Sequence, residues 1–437
     1  VNNFITELLR LKEPNLVIEE KTDEKEIKGR IYIMLYGVLS SKADKCQHCG
    51  ITNHQRTIIK HGFRVINVKL PRLSGFPCLL ELKKQRYLCH NCNRTFVAET
   101  SIVDKYCCLS NNLKMFIADK VREVRSIKSV AESCCVSSPT VVRIIKQTVD
   151  EIRHKVGSHL PEHIMMDEFK SVKNVDASMS FIYCDSTSHQ IIDIVSDRRK
   201  FNLKNYFMKF DLYARKRVKT VCIDMYEPYM DLISDVFPNA LVIIDRFHIV
   251  QAINREINRT RVKVMNQARR NRRPLYNKYK RYWKLLLKPK LNLNAINYKY
   301  HRLFKTLITE KDIVSYLLSN DNTLNNTYEI GQELILALKH NDIDLFRSVL
   351  YKSRQNHISE GLMRVLRSFM KYLPFICNTL NHPMITNGPI EGINNKIKLL
   401  KRNAYGYRNY ANFRDRILLM SRLYKLRQRK TPMHEVA

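Results

Sequence analysis

Two short strings, Cys46-Gln47-His48-Cys49 and Cys89-His90-Asn91-Cys92, offer four thiols in closely spaced pairs. A tight turn aims both sulfurs of such a pair at one point, and two pairs supply the four ligands of one closed, structural zinc site. The 39 residues between the knuckles exceed the usual gap of about 15–20. They read as strands at 57–59, 63–70 and 86–88, so an enlarged hairpin is predicted. His48 and His90 each offer an alternative to a sulfur. The other eight of the twelve cysteines have no partner spacing and read as small buried apolar residues.

Acids are scarce, with 41 Asp and Glu against 76 Lys and Arg, so each placed carboxylate is informative. Strands are predicted at 164–167, 180–185, 190–195, 218–224 and 240–245, with helices at 202–211 and 227–236. This β-β-β-α-β-α-β order opens a ribonuclease-H-like mixed sheet. There the first and fourth strands are neighbours, which returns Asp224 beside Asp167. Adjacent carboxylates repel and become stable when they share divalent cations. A third acid, Glu391, lies on a helix opened by Gly388 and Pro389, with an apolar stripe at Ile390, Ile393, Ile397 and Leu400. Glu391, Asn395, Lys398 and Arg402 form its polar face. Asp245, at a strand end, reads first as a helix N-cap, and His248 falls in the next turn. Both are expected to support the metal ligands from behind.

The 437-residue chain carries a formal charge of +35 and a pI near 9.8. So much like charge calls for a polyanionic partner, nucleic acid first. Its 44% hydrophobic content excludes a disordered chain. No apolar run reaches the ~20 residues that span a bilayer, and the mixed residues at 1–10 exclude a secretory signal. Val1 points to an alternative start or a trimmed end. Helices predicted at 111–125, 126–134 and from Ser138 (as N-cap) to about 149 describe a helix-turn-helix. Its second helix buries Val141, Val142 and Ile145 and turns Thr140, Arg143, Lys146 and Gln147 outward. Residues 257–309 contain 16 Lys or Arg and no acid. Arg269, Arg270, Arg272 and Arg273 are expected on phosphates, with Tyr276, Tyr279, Tyr282 and Trp283 available for stacking.

The predicted domains are an N-terminal helical segment (1–40), a zinc-ribbon-like module (41–105) and a helix-turn-helix (106–155). A catalytic core in two parts (160–246 and 381–425) flanks an all-helical insertion (247–380), and a basic tail (426–437) ends the chain. With Met166-Asp167-Glu168-Phe169, Asp245-Arg246-Phe247-His248 and Asn387-Gly388-Pro389-Ile390-Glu391, this order resembles the bacterial insertion-sequence DDE transposases of the ISL-three family. The resemblance runs from about Lys45 to Leu423 and implies Asp167, Asp224 and Glu391 as the catalytic acids. Two Mg²⁺ (or Mn²⁺) ions about 3.5–4 Å apart and one structural Zn²⁺ are expected. Double-stranded DNA, both element ends and target, is the expected partner, with Lys398, Lys401 and Arg402 among the DNA contacts. A synaptic homodimer in the bacterial cytoplasm, associated with the nucleoid, is also expected. No P-loop is present, so no nucleotide cofactor is expected. Two other readings stay open: a zinc-containing helix-turn-helix regulator without catalysis, and a ribonuclease-H-like nuclease or resolvase.

Overall fold

Two turns of left-handed residues organise the first sheet. Lys28 and Gly29 (φ 52° and 73°) join strands β1 (Leu16–Ile27) and β2 (Arg30–Leu39), while Ser74 and Gly75 (48° and 88°) join β3 (Ile58–Leu73) and β4 (Phe76–Cys89). Positive φ at both central residues makes the tight hairpin turn that matches strand twist. This computed structural model describes residues 6–7, 9–156, 159–173, 175, 177–353 and 357–422. The sheet order is β1-β2-β4-β3, with β5 (Arg94–Val97) added to β4 and a parallel β2–β4 pair at its centre. The expected helical segment at 1–40 is thus mostly a β-hairpin. Its charged run, Glu19 to Lys28, is helix-compatible locally, but the turn and the buried face of β2 decide otherwise. The predicted tail at 426–437 lies outside the described residues.

Three helices follow: α1 (Asn111–Lys120), α2 (Ile127–Ser133) and α3 (Ser138–Val156). Ser110 and Ser126 cap α1 and α2 by accepting N–H bonds from Leu113 and Ser129, both at 3.1 Å. The α3 cap is Ser137, one residue earlier than expected, its hydroxyl accepting from Thr140 N–H at 3.4 Å. Cys135 takes the left-handed conformation (φ 53°) in the turn between α2 and α3, which glycine often fills.

The second sheet comprises β6 (His163–Lys170), β7 (Met179–Asp185), β8 (Ile191–Val195), β9 (Thr220–Ile223) and β10 (Leu241–Ile244). Its order is β10-β9-β6-β7-β8, antiparallel across β6-β7-β8 and parallel from β6 through β9 to β10. This is the ribonuclease-H-like arrangement. Helices α4 (Lys200–Phe207), α5 (Leu212–Lys216) and α6 (Glu227–Val236) connect its strands. The single helix expected at 202–211 is interrupted, because Asp211 caps a new turn through Ala214 N–H at 2.6 Å.

The insertion contains α7 (Arg246–Asn271), α8 (Arg273–Leu286), a hairpin of β11 (Lys299–His301) and β12 (Thr306–Ile308), and helices α9 (Glu310–Leu318), α10 (Asn322–His340), α11 (Ile343–Lys352), α12 (Glu360–Lys371) and α13 (Leu373–Asn381). The all-helical expectation is therefore corrected by β11–β12. Three-residue strands are too short for periodicity to reveal. The α13 helix protects the edge of β10: Thr379 Oγ1 accepts from Ile244 N at 3.0 Å, and Asn378 donates to Val242 O at 3.1 Å. The last described helices are α14 (Gly388–Asn403) and α15 (Tyr410–Arg422).

The described residues within 1–157, 172–174 and 396–437 form one compact unit and those within 158–171 and 175–395 another, one division falling within α14. In the first, Arg416 of α15 is wholly buried and donates to the carbonyls of Glu123 and Arg125, ahead of α2. In the second, one apolar core runs from the sheet through α6 and α7 to α12 and α13. No helix among the described residues is long and apolar enough to cross a membrane.

Candidate active site and metal centre

The cysteine knuckles converge. Cys46 and Cys92 sulfurs lie 3.7 Å apart, as do those of Cys49 and Cys89, and all four fall within 4.8 Å of one another. A tetrahedron with Zn–S bonds of about 2.3 Å has edges of roughly 3.8 Å, so the spacing suits zinc. The Ile51 N–H and the Asn91 amide draw the Cys49 thiol down to about 6, favouring the thiolate. Burial pushes Cys92 up to about 12, a cost that a bound cation would reverse. Neither His48 nor His90 joins this cluster, and His48 Nε2 instead lies 3.3 Å from Thr95 O. Among the other cysteines, Cys78, Cys134, Cys184 and Cys222 are buried as expected, whereas Cys107 and Cys108 are exposed.

The acids gather just beyond the end of the parallel pairing of β6, β9 and β10. Met165 pairs with Cys222, and Asp167 and Asp224 each stand two residues further on. Ile223 pairs with Ile244, so Asp224 and Asp245 each follow by one residue. Helix α14 brings Glu391. Ligand atoms of Asp245, His248 and Glu391 lie within 4.8 Å of one another, and His248 Nε2 sits 2.9 Å from Asp224 Oδ1. The closest cluster thus contains Glu391 but neither Asp167 nor Asp224. Asp224 is tied in through His248, whereas Asp167 is held from α14 by Asn394 Nδ2 at 2.7 Å.

The electrostatics are those of crowded carboxylates. Burial, reinforced by the charge of Asp224, raises Asp167 to about 7 against the opposing Glu168 N–H bond. Burial raises Asp245 too, with Asp224 and Glu391 adding to it. His248 is pushed up by its bond to Asp224 and the surrounding acids. Asp245 caps α7 weakly through Oδ1, 3.5 Å from Phe247 N, while its buried Oδ2 has no partner. An orphaned carboxylate oxygen costs about 1–3 kcal/mol or more, and a cation beside Glu391 would remove that cost. The donor set, oxygen with one imidazole, suits a divalent ion.

Three supporting residues escaped sequence reasoning. Asn387, just ahead of α14, and Asn394, on it, donate to the Met166 carbonyl (3.0 Å) and to Asp167, and both are buried. Glu168, next to Asp167, is ion-paired with Arg198. Asn394 sits beside the exposed Asn395, which had been assigned to the polar face, and only burial distinguishes the two.

The expected DNA contacts divide. Arg143, Lys146, Gln147, Arg269, Arg270, Arg272, Arg273, Lys398 and Arg402 are exposed, whereas Thr140 and Lys401 are half-buried. Lys401 lies over the Phe413 ring. Tyr279 is fully buried, its hydroxyl donating to Leu317 O at 2.6 Å, so it belongs to the core. Tyr276 and Tyr282 are partly buried against that core.

Comparison with known proteins accounts for this layout. The model of the ISL-three DDE transposase family, described as "Transposase", matches residues 164–417. A second, described as "zinc-finger of transposase IS204/IS1001/IS1096/IS1165", matches residues 42–92. The "Transposase for insertion sequence element IS1001" of Bordetella parapertussis is 25% identical over 401 residues, 90% of this chain and 92% of that protein. A Lactococcus lactis subsp. lactis protein named "ATP-dependent protease" is 40% identical over 126 residues, 28% of this chain. The chain spans only 40% of that protein's length. A transposase domain with carboxylates grouped at one sheet edge, preceded by a four-cysteine zinc finger, places the chain in the ISL-three family of DDE transposases.

Proposed function

We propose that this chain cuts DNA at the ends of an insertion sequence and joins the freed ends to target DNA, with Asp167, Asp224 and Glu391 as the catalytic acids. Asp245 is a further metal ligand in this reading. The observation that carries it is the unpartnered, buried Asp245 Oδ2 beside Glu391, at the sheet edge where Asp167 and Asp224 also end. Divalent cations, Mg²⁺ or Mn²⁺, would supply charge neutralisation and a lowered pKa for water at this site. His248 sets its Nε2 2.9 Å from Asp224 Oδ1, so the imidazole positions that carboxylate beside Asp245 and Glu391. Asn394 orients Asp167 from the helix that carries Glu391, which ties two of the acids into one rigid pair.

In the first step water attacks the phosphorus at the element's end, and the P–O bond to the 3′ oxygen breaks, leaving a 3′-hydroxyl and a 5′-phosphate. That hydroxyl then attacks a target phosphodiester, exchanging one P–O bond for another without a nucleotide cofactor. Arg143, Lys146 and Gln147 on α3 are assigned to reading the terminal repeats, and the arginines around Arg272 to phosphate contact. A homodimer holding two ends together, in the bacterial cytoplasm, completes the proposal. The test incubates protein, Mg²⁺, an end-containing duplex and a target plasmid. Joined product is expected. Cleavage without joining would favour a nuclease, and binding without either a regulator.

A further inference from the structure

The β11–β12 hairpin, invisible in the sequence, packs Ile308 against the core and still leaves an apolar pair on its outer face. Tyr300 and Leu307 pair directly across the two strands and are 65% and 61% exposed. The opposite face carries Lys299 with Ile308 and His301 with Thr306, and His301 packs edge-on against Tyr282, their centroids 5.4 Å apart. An amphipathic hairpin ordinarily turns its apolar pair inward. Here the apolar pair faces solvent, with Tyr298 beside it at 62% exposure.

An isolated two-stranded hairpin is marginal in water, yet this one is anchored. Phe304 in its loop stacks against Tyr282 and Tyr316, at 5.6 and 5.1 Å between centroids. Lys278 Nζ lies 4.2 and 4.1 Å from the Phe304 and Tyr316 rings. The outward residues are therefore presented on a fixed platform. Around them stand exposed Lys299, Arg302 and Lys305, within the tract from 257 to 309 that contains no acid.

We infer that this hairpin is a DNA wedge: Tyr300 and Leu307 press between base steps while Lys299, Arg302 and Lys305 hold the flanking phosphates. Charge selects the occupant, since exposed apolar side chains flanked by Lys299, Arg302 and Lys305 in a tract without acids suit distorted duplex DNA. The inference rests on the DNA-handling reading above. It moves the stacking role from Tyr279, which is core, to Tyr300.

The test uses the full-length protein and a duplex of about 30 base pairs with one central 2-aminopurine, whose fluorescence rises when its step unstacks. Wild-type protein is expected to bind and raise the signal. Y300A/L307A should lose the rise and bind about tenfold more weakly. K299Q/R302Q/K305Q should lower the slope of log affinity against log salt by about 2–3. Y300F should behave as wild type. Because the substituted side chains are exposed, circular dichroism should be unchanged in every variant. Unaltered fluorescence in Y300A/L307A together with an unaltered salt slope overturns the wedge. So does a change confined to the protein's own oligomeric mass, which would make the hairpin a protein contact. Failure of the wild-type protein to bind the duplex at all overturns the DNA-handling reading itself.

Discussion

The four-cysteine site and the carboxylate site are both built to hold metal, and they are built in opposite ways. Cys46, Cys49, Cys89 and Cys92 come from two short knuckles, each thiol 3.7 Å from another. Four ligands close a tetrahedron and leave no position for substrate. Asp167, Asp224, Asp245, His248 and Glu391 come from three neighbouring strands, the turns that follow them and two helices, and among their buried oxygens Asp245 Oδ2 has no partner. A closed site stabilises a fold, whereas an open and under-satisfied one retains capacity for chemistry.

The sharpest way to break this contrast is to remove an acid. Asp224→Asn or Glu391→Gln should lower strand cleavage by about 10³-fold or more while thermal unfolding stays near wild type. A variant that cleaves at the wild-type rate would show that its acid is wrongly assigned. Cys49→Ser should do the reverse: zinc content falls to zero, and the first unit loses a few kcal/mol, roughly 10 °C in Tm. Unchanged zinc content would refute the four-thiolate site. Dialysis against a chelator sharpens the same point. Activity should vanish and return with Mg²⁺ while zinc stays bound, and co-extraction of both metals would erase the distinction.

A smaller effect is expected from Asn394→Ala, which frees Asp167 without removing an acid. Metal affinity and cleavage should fall about 10–100-fold, with a raised Mg²⁺ requirement as the signature. A further test is a pH effect on the metal-free protein. Asp167 keeps its proton to about 7 in the folded state, against an ordinary value of 3.8. The native state therefore binds more protons between these values, and stability falls as pH rises through that window. Asp167→Asn should remove this slope, stabilising the metal-free protein by up to a few kcal/mol at pH 8 and by nothing near pH 3. Parallel stability–pH curves for the two proteins would contradict it.

Legibility followed the range of the interactions. The knuckles could be read because two residues of spacing are enough to converge two thiols. Asp167 and Asp224 could be read because strand order alone makes their strands neighbours. Asn387 and Asn394 could not, since nothing local separates Asn394 from Asn395 until α14 is laid on β6. The N-terminal hairpin was missed because its charged residues suit a helix, and the Lys28-Gly29 turn is decisive only once β2 finds β4. The β11–β12 hairpin was missed because its anchor, Phe304 against Tyr282 and Tyr316, joins three separate segments.

By itself the sequence determined what depends on composition, spacing and period: the +35 charge, the thiolate quartet, the alternation of strands and helices, and which acids neighbouring strands carry. Tertiary structure alone decided what depends on burial and convergence. It set the ligand atoms of Asp245 and His248 within reach of Glu391, left Asp245 Oδ2 without a partner, and turned Tyr300 outward while Tyr279 went in. Spacing and period act along the chain and can be read there. Desolvation and charge repulsion act through space, and arise only when the second sheet and the helices around it close over the same few atoms.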